Sequence, residues 1–216
     1  VRATPEPMNC TAHGRPDGCD IGVPTQAPGG AQQVAAEITG LPRRSVKVHS
    51  TYLGGGFGRR LEQDFVAETV QVAKAIAGVP VQVMWTRTDD LRHDFYRPAS
   101  FHHLKAALDQ DGMPAAWTHR IVSPSASARE APDAGAGGVD EGAVDGAASL
   151  PCAIPNIRVD YVMQEPWVPI GAWRSVGHSQ NAFAVECFLD ELAAVGGKDP
   201  YELRRQLLHR HTRQQA

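Results

Sequence analysis

The chain has 216 residues with 21 basic and 24 acidic side chains, so its formal net charge is −3. A chain of this length can bury one large or two small hydrophobic cores. The acidic balance argues against a nucleic-acid-binding protein, which normally carries a basic excess. No segment approaches the roughly 20 consecutive apolar residues that a membrane-spanning helix needs, so we expect a chain that does not cross a bilayer.

The four cysteines, at positions 10, 19, 152 and 187, form no Cys-x-x-Cys pair. A zinc ribbon or a cysteine-ligated cluster is therefore not indicated, and we find no other metal-ligand pattern. Cys10 and Cys19 are close enough in sequence to bridge in an oxidising compartment. Free thiols are the interpretation we favour.

The first half of the chain indicates alternating strands and helices. After a turn-rich opening with one short strand at 19–23, apolar spacing predicts a helix over 31–41. Alternating side chains then predict a strand over 45–53, which a glycine-rich loop interrupts. A second helical face predicts a helix over 62–77, and a short apolar strand follows at 80–85.

The second half begins with a hairpin signal, two predicted strands at 100–108 and 115–122 around the turn sequence Asp-Gln-Asp-Gly. Residues 123–148 are rich in Ala, Gly, Ser and Asp without apolar periodicity, which indicates an insertion or flexible loop. A strand is predicted at 157–163, a buried helix at 182–195, and a last helix with Asp199 as its N-cap and Glu202 returning a capping bond.

This order of elements predicts an α+β fold with mixed sheets and helices layered on one face. We expect two lobes, residues 1–97 and residues 98–216, with the boundary between 94 and 100. The first lobe contains the glycine-rich loop. The second contains the Ala/Gly-rich insertion at 123–150 and an arginine-containing loop at 169–181.

The glycine-rich loop at 53–60 runs Leu-Gly-Gly-Gly-Phe-Gly-Arg-Arg. Glycine permits positive φ and lets a ligand lie against the main chain. N–H groups at the start of a following helix favour an anion, and Arg59 and Arg60 add positive charge. The loop is neither a Walker sequence nor a Gly-x-Gly-x-x-Gly turn. An ordinary strand-to-helix turn with two solvated arginines explains the same residues equally well.

The loop at 169–181 combines bulky and polar residues, a common composition for a binding loop on a rigid scaffold. Its candidate binding residues are Trp173, Arg174, His178, Gln180 and Asn181. The alternative is an ordered loop whose side chains satisfy its own backbone.

Other polar residues point to structural roles. His102 and His103 lie on opposite faces of a predicted strand and so do not share a metal. Asp89, Asp90 and Asp94 surround a short turn and are interpreted as helix caps rather than as a catalytic pair.

Five ordered segments carry a resemblance to a known family. They lie at 6–12, 24–28, 54–60, 95–98 and 173–181. In that order they resemble the molybdopterin-binding large subunit of the xanthine dehydrogenase and aldehyde oxidase family. The Arg-Pro-Ala-Ser and Trp-Arg-Ser-Val-Gly-His-Ser sequences are similar to its isoquinoline 1-oxidoreductase beta-subunit branch.

The resemblance implies an oxidoreductase that hydroxylates N-heterocycles or aldehydes with oxygen derived from water. It implies a molybdopterin cofactor with Mo, in the cytosine dinucleotide form, held between α+β lobes. It also implies partners: the remaining half of the large subunit and a small subunit that carries iron–sulfur clusters.

Matching the family motifs position by position assigns two groups of residues. The cofactor-binding candidates are Gly55, Gly56, Phe57, Gly58, Arg59 and Arg174. The substrate-pocket candidates are Leu61, Glu62 and Val176. Leu61 and Val176 stand where xanthine-type enzymes place a substrate-orienting glutamate and a stacking phenylalanine, so the resemblance favours a more apolar heterocycle or an aldehyde over xanthine.

The family's catalytic glutamate belongs to a Gly-x-Gly-Glu segment that this sequence does not contain, so no catalytic residue is assigned. We therefore expect the chain alone to be inactive, as a fragment of a larger subunit. The alternative is a non-catalytic remnant domain that retains the fold and an anion-binding cleft. With the other half missing, exposed apolar surface predicts self-association. The compartment, cytoplasmic or periplasmic, stays open.

Overall fold

The polypeptide divides into two units, each with its own sheet and hydrophobic core. The computed structural model describes residues 2–130 and 138–215. One unit comprises Val1–Arg97 with Pro169–Arg174, and the other comprises Pro98–Val168 with Ser175–Ala216. Residues 169–174 therefore lie in the first unit, although the sequence grouped them with the second lobe. Among the described helices, none combines the length and apolar character required to span a membrane.

The first unit is built on a four-stranded sheet in the order β3-β2-β1-β4. Its strands are β1 (Asn9–Arg15), β2 (Gly18–Val23), β3 (Val46–Ser50) and β4 (Val81–Met84). Strand β1 pairs antiparallel with β2 and β4, and β2 pairs parallel with β3. Helices α1 (Pro28–Thr39) and α2 (Asp64–Ala75) pack against alternate strand residues, while α3 (Arg87–Arg92) follows β4.

Local sequence signals explain where these helices begin and end. Helix α1 has Pro28 at its first position and ends at Gly40, which adopts the left-handed conformation with φ 77°. Helix α2 buries Phe65, Val66 and Val70 along one stripe. Helix α3 starts with a capping box in which Thr86 and Asp89 exchange hydrogen bonds.

The second unit is built on a three-stranded sheet in the order β5-β6-β7. Strands β5 (Phe101–Leu108) and β6 (Pro114–Ser123) form the predicted antiparallel hairpin, and β7 (Asn156–Met163) runs parallel to β6. Helices α6 (His178–Val195) and α7 (Pro200–Leu207) form a core with the sheet around Trp117, Leu189 and Leu203. The remaining described helices are short: α4 (Ala126–Glu130), α5 (Glu141–Val144) and α8 (Thr212–Gln215).

The structure confirms the α+β class and corrects several boundaries. Strand β1 was missed because its inward residues, Cys10, Ala12 and Gly14, are too small to produce an apolar signal. Helix α6 begins at His178, four residues before the predicted start at 182, and strand β3 ends at Ser50 rather than at 53.

The Ala/Gly-rich segment at 123–150 is more structured than a flexible loop. Its described part contains α4 and α5, and Val144 and Ala147 are buried in a cluster with Ile121 of the sheet, while Ala143 is buried as well. Residues 131–137 lie outside the described residues. The interpretation as a structureless insertion is therefore wrong for the parts that flank them, because small alanines bury well without an obvious period.

Two further predictions concern local chemistry. Asp199 caps α7 as predicted, since its carboxylate accepts hydrogen bonds from the N–H groups of Tyr201 and Glu202. Glu202 does not return a capping bond; its carboxylate pairs instead with Arg205 at 2.8 Å.

All four cysteines are free thiols, as expected. No cluster of three metal-ligating side chains occurs within the described ranges.

Candidate functional site

The glycine-rich loop leaves β3 and turns sharply through residues with positive φ. Gly55 and Gly58 both have φ 95°, and Phe57 between them has φ 53°. A positive φ is uncommon for a residue with a side chain, and such conformations concentrate at functional sites. A 3-10 turn, Arg59–Leu61, follows the loop, and α2 begins only at Asp64. The predicted helix N-terminus is therefore not at the loop.

Arg60 lies beneath the loop and supports it. Its buried guanidinium donates to the carbonyl oxygens of Gly55 at 2.7 Å and Glu6 at 2.8 Å, and it pairs with the Glu6 carboxylate at 2.9 Å. The same carboxylate accepts a hydrogen bond from the N–H of Gly54 at 2.7 Å. Burial lowers the pKa of Arg60. Arg60 and the Glu6 carboxylate together connect the amino-terminal segment to the N–H of Gly54 and to the carbonyl of Gly55.

Arg59 is also turned into the protein. Its guanidinium makes a two-bond pair with Asp64, at 2.9 and 2.7 Å, and its Nε lies 3.6 Å from an oxygen of Asp94. It also lies over the rings of Trp85 and Phe95, at 5.3 and 5.5 Å from their centroids. The expectation of two solvated or ligand-facing arginines is wrong, because both guanidiniums are neutralised and hydrogen-bonded inside the first unit.

Close approaches explain why the loop needs glycine. A Cβ atom at position 56 would lie 2.4 Å from Oε1 of Gln26, and one at position 58 would lie 2.1 Å from the carbonyl oxygen of Ala172. Oε1 of Gln26 also accepts a hydrogen bond from the N–H of Gly58 at 3.1 Å. The loop is therefore enclosed by Gln26 on one side and by the 172–174 segment on another.

The segment Pro169–Arg174 brings the main chain of Arg174 beside the loop. The N–H of Arg174 donates to the carbonyl oxygen of Phe57 at 3.0 Å, and its own carbonyl accepts from Arg97 at 3.1 Å. The indole N–H of Trp173 donates to the carbonyl of Phe95 at 3.2 Å. The first unit therefore brings Phe57 and Gly58 beside Arg174, which lies more than 100 residues further along the sequence.

The loop also presents main-chain donors that the first unit does not use. Within the described residues, no acceptor bonds to the N–H groups of Gly55, Gly56 and Phe57. Consecutive N–H groups in a turn of this kind form a concave site that suits an anion or an oxygen-rich group. The residues present therefore fit such a group through neutral backbone donors rather than through arginine side chains.

The three substrate-pocket candidates have different surroundings. Leu61 exposes 38% of its surface, whereas Glu62 is buried with a carboxylate oxygen against Gly171. Val176 belongs to the second unit, where it packs on Gly142 and adopts φ 44°, an outlier for a β-branched residue. Leu61 and Glu62 thus lie close to the loop within the first unit, whereas Val176 belongs to the second.

The other polar candidates have structural roles. Asn181 is buried in the first turn of α6 and donates to the carbonyls of Ala143 and Asp145 at 2.8 Å each. Nδ1 of His178 lies 3.6 Å from the carboxylate of Asp145. Asp89 is a helix cap as predicted. Asp90 and Asp94 are not caps, because both are buried ion-pair partners, of Arg87 and of Arg2.

Sequence reasoning missed Glu6, Gln26 and Arg97 as parts of this site. None of them belongs to a periodic pattern, and their partners lie far away in the chain. The available signal was their presence in the segments at 6–12, 24–28 and 95–98, which carry the family resemblance.

Comparison with known proteins identifies this architecture. The model of the molybdopterin cofactor-binding domain family matches residues 3–208. The chain belongs to this family. The resemblance inferred from the five segments is thereby confirmed, and the molybdopterin cofactor-binding domain is related to the large subunits of molybdenum hydroxylases.

Individual relatives are several times longer than this chain. It is 31% identical over 215 residues to isoquinoline 1-oxidoreductase subunit beta of Brevundimonas diminuta, covering 98% of this chain and 27% of that protein. It is 32% identical over 180 residues to a membrane-bound aldehyde dehydrogenase [pyrroloquinoline-quinone] of Gluconacetobacter polyoxogenes, covering 78% and 23%. The structure of an aldehyde oxidoreductase from Desulfovibrio gigas superposes with a TM-score of 0.76 at 25% identity, covering 94% and 22%. The molybdopterin-binding chain thus spans about a quarter of its relatives.

Proposed function

We propose that this domain contributes the main chain of residues 55–58 and of Arg174 to a molybdopterin site in a molybdenum hydroxylase. The observation that carries the proposal is a set of three N–H donors, at Gly55, Gly56 and Phe57, that no acceptor in the described part of the chain uses, directly beside the fixed backbone of Arg174. Neutral backbone donors fit an oxygen-rich cofactor without requiring a conformational change of the loop.

The surrounding residues orient these donors. Arg60 holds the carbonyl of Gly55, and Glu6 holds the N–H of Gly54. Gln26 holds the N–H of Gly58, and Arg97 holds the carbonyl of Arg174. Arg59 is assigned to the same supporting role, since its charge is taken by Asp64. When bound, the cofactor supplies the molybdenum at which a substrate carbon is hydroxylated with oxygen from water.

The substrate class follows from the pocket candidates. The exposed Leu61 and Val176 are apolar, which favours an N-heterocycle or an aldehyde over a polar purine. The names of the relatives, an isoquinoline oxidoreductase and an aldehyde oxidoreductase, agree with this class. Glu62 is assigned to the support of Gly171, because its carboxylate lies against that residue rather than in solvent.

The whole enzyme requires more than this domain. Because the chain spans about a quarter of its relatives, we propose that the remaining part of the large subunit supplies the catalytic base and that a small subunit supplies iron–sulfur clusters. The cytosine dinucleotide form of the cofactor belongs to the same proposal. We expect the purified chain to contain no stoichiometric Mo, since it provides only part of the cofactor's contacts.

The test is a titration of the 15N-labelled chain with molybdopterin released anaerobically from a molybdoenzyme. We expect the amide resonances of Gly55, Gly56 and Phe57 to shift, whereas that of Gly40, a glycine with positive φ at the end of α1 in the same unit, stays in place. A folded chain whose loop resonances do not move contradicts the proposal and supports the non-catalytic remnant.

A matched pair of variants sharpens this test. Gly58→Ala and Gly78→Ala both place alanine at a positive φ, 95° and 89°, but only the first drives a Cβ to 2.1 Å from another residue. We expect Gly58→Ala to weaken the titration at least about tenfold, since the loop must move away from Ala172. Gly78→Ala is expected to bind as the parent does. Equal behaviour of the two variants would exclude the loop as the binding element.

A further inference from the structure

The three-stranded sheet of the second unit has a face that no described element of that unit covers. Helices α5, α6 and α7 lie on the opposite face, where they pack against Trp117, Ile121 and neighbouring residues. The uncovered face contains two polar rungs, set by the strand register. In the first rung, His103 of β5 lies opposite Arg120 of β6, which lies opposite Asp160 of β7. In the second rung, Lys105 lies opposite Thr118, which lies opposite Arg158.

These six residues line a shallow pocket of about 260 Å³. Directly opposite residues on neighbouring strands are about 5 Å apart, so two rungs gather all six side chains into one patch. We call it the basic patch. At neutral pH, Lys105, Arg120 and Arg158 carry three positive charges, which Asp160 alone opposes.

Asp160 orients the two arginines. One of its carboxylate oxygens lies 3.3 Å from Arg120, and the other accepts from Nε of Arg158 at 3.0 Å. Hydrogen bonds from these guanidiniums lower the pKa of Asp160. The side chains of Arg120 and Arg158 nevertheless remain 57% and 72% exposed. Their outer N–H groups are therefore held in place and still face solvent.

Lys105 adds a charge that the described part of the chain does not compensate, since no acidic side chain there pairs with it. The patch thus has a net charge of about +2 in a chain whose formal net charge is −3. A local excess of positive charge on a chain with negative net charge attracts an acidic partner and repels other basic surfaces.

An apolar rung borders the basic patch on the same face. Phe101 pairs with Val122 and Val122 with Val162, and Phe101 and Val162 expose 68% and 45% of their surfaces. Protein interfaces combine an apolar centre with a charged rim in this way. A free inorganic anion gains nothing from the apolar rung, whereas a protein segment with acidic and apolar residues contacts both parts.

We propose that this sheet face is a docking surface for an acidic protein segment. Carboxylates of the segment pair with Lys105, Arg158 and Arg120, and an apolar side chain of the segment covers Phe101. Asp160 is a positioning residue for the two guanidiniums. This surface belongs to the second unit, whereas the glycine loop belongs to the first, and its occupancy requires no cofactor.

The experiment is a fluorescence anisotropy titration of the full 216-residue chain with a labelled peptide of four glutamates preceded by two leucines. The reference measurement uses a labelled oligodeoxynucleotide, and inorganic phosphate serves as a competitor. We expect the peptide to bind, to lose affinity as the salt concentration rises, and to resist phosphate at equal ionic strength.

Charge-reversal variants locate the binding. The double variant K105E/R158E is expected to weaken peptide binding at least about tenfold. The control R44E/K47E changes the net charge equally but lies in the first unit, and it should stay within about twofold of the parent. Phe101→Ser should weaken the peptide several-fold and leave oligonucleotide affinity unchanged. Circular dichroism confirms that each variant is folded; if K105E/R158E is not, K105Q/R158Q replaces it.

Three results would overturn the proposal. The first is equal loss of affinity in the patch and control variants, which indicates a response to net charge alone. The second is tighter binding of the oligonucleotide than of the peptide. The third is displacement of the peptide by phosphate at constant ionic strength, which identifies a simple oxyanion pocket.

Discussion

His119 shows how one side chain is governed by its surroundings. It lies on β6 with its ring buried, and its Nε2 is 2.8 Å from Nδ1 of His102. Its Nδ1 is buried without a hydrogen-bond partner among the described residues. Burial, together with the smaller effect of the neighbouring His102, lowers the pKa of His119 to about 4. The folded protein therefore keeps this imidazole neutral where an exposed histidine is protonated.

We predict that His119 makes the second unit less stable in acid. Below pH 6.5 the unfolded chain binds a proton that the folded chain does not bind until about pH 4, so the free energy of unfolding falls as the pH falls through this window. The full difference is on the order of 3 kcal/mol. Urea unfolding of the parent and of His119→Gln at pH 7 and pH 4.5 measures it. The variant should lose less stability on acidification.

The exposed His103 is the matched control, because its side chain is on the uncovered face of the same sheet. His103→Gln should retain the pH dependence of the parent. A parent and a His119→Gln variant with parallel acid profiles would show that His119 does not carry the effect.

At the scale of elements, the glycine loop depends on groups that precede and follow it. Arg60 makes four hydrogen bonds, to Gly55, Pro24 and twice to Glu6, and none of its donors faces solvent. Such a guanidinium acts as a rigid fork that a lysine does not reproduce. The shape of the loop is therefore a property of this buried network rather than of the glycines alone.

We predict that Arg60→Lys loosens the loop while preserving the charge. The single ammonium group replaces only part of the network, so we expect a loss of about 2 kcal/mol in the free energy of unfolding. Hydrogen exchange of the Gly54 amide, which bonds to Glu6, should become at least about tenfold faster. Arg44→Lys, on the exposed surface, should change neither quantity. Unaltered exchange at Gly54 would argue that Glu6 holds the loop without Arg60.

At the scale of the whole molecule, each unit leaves large apolar side chains exposed. Tyr52 in the first unit and Trp167 in the second are almost fully accessible to solvent, and Phe183 and Val195 of the second unit are 74% and 80% exposed. Exposed apolar groups of this size are costly when they are grouped and commonly mark contact surfaces. Their number is consistent with relatives that are about four times longer than this chain.

We predict that the isolated chain self-associates through these side chains. Its sedimentation coefficient should fall on dilution until it reaches the value of a monomer. The double variant Trp167→Ser with Phe183→Ser should shift this transition to higher protein concentration, because it removes two exposed aromatic surfaces. A chain that sediments as a monomer at every concentration would contradict the prediction.

The sequence by itself determined the elements whose signals are local. Helices α1, α2 and α7, the β5–β6 hairpin and the Asp199 cap follow from apolar spacing, turn residues and capping chemistry within a few positions. The five family segments were also sufficient to identify the molybdopterin cofactor-binding domain.

Only the tertiary structure decided where the charged side chains point. The sequence predicted that Arg59 and Arg60 contribute charge to a ligand site. Their acidic partners are brought to them only by folding, across separations of up to 54 residues; these partners are Asp64, Asp94 and Glu6. Strand β1 was missed for a related reason, because its small inward residues become recognisable as core residues only once the helices pack on them. Ion pairs between residues far apart in the chain produce no periodic pattern in the sequence. They nevertheless hold the glycine-rich loop in the conformation that presents its backbone donors.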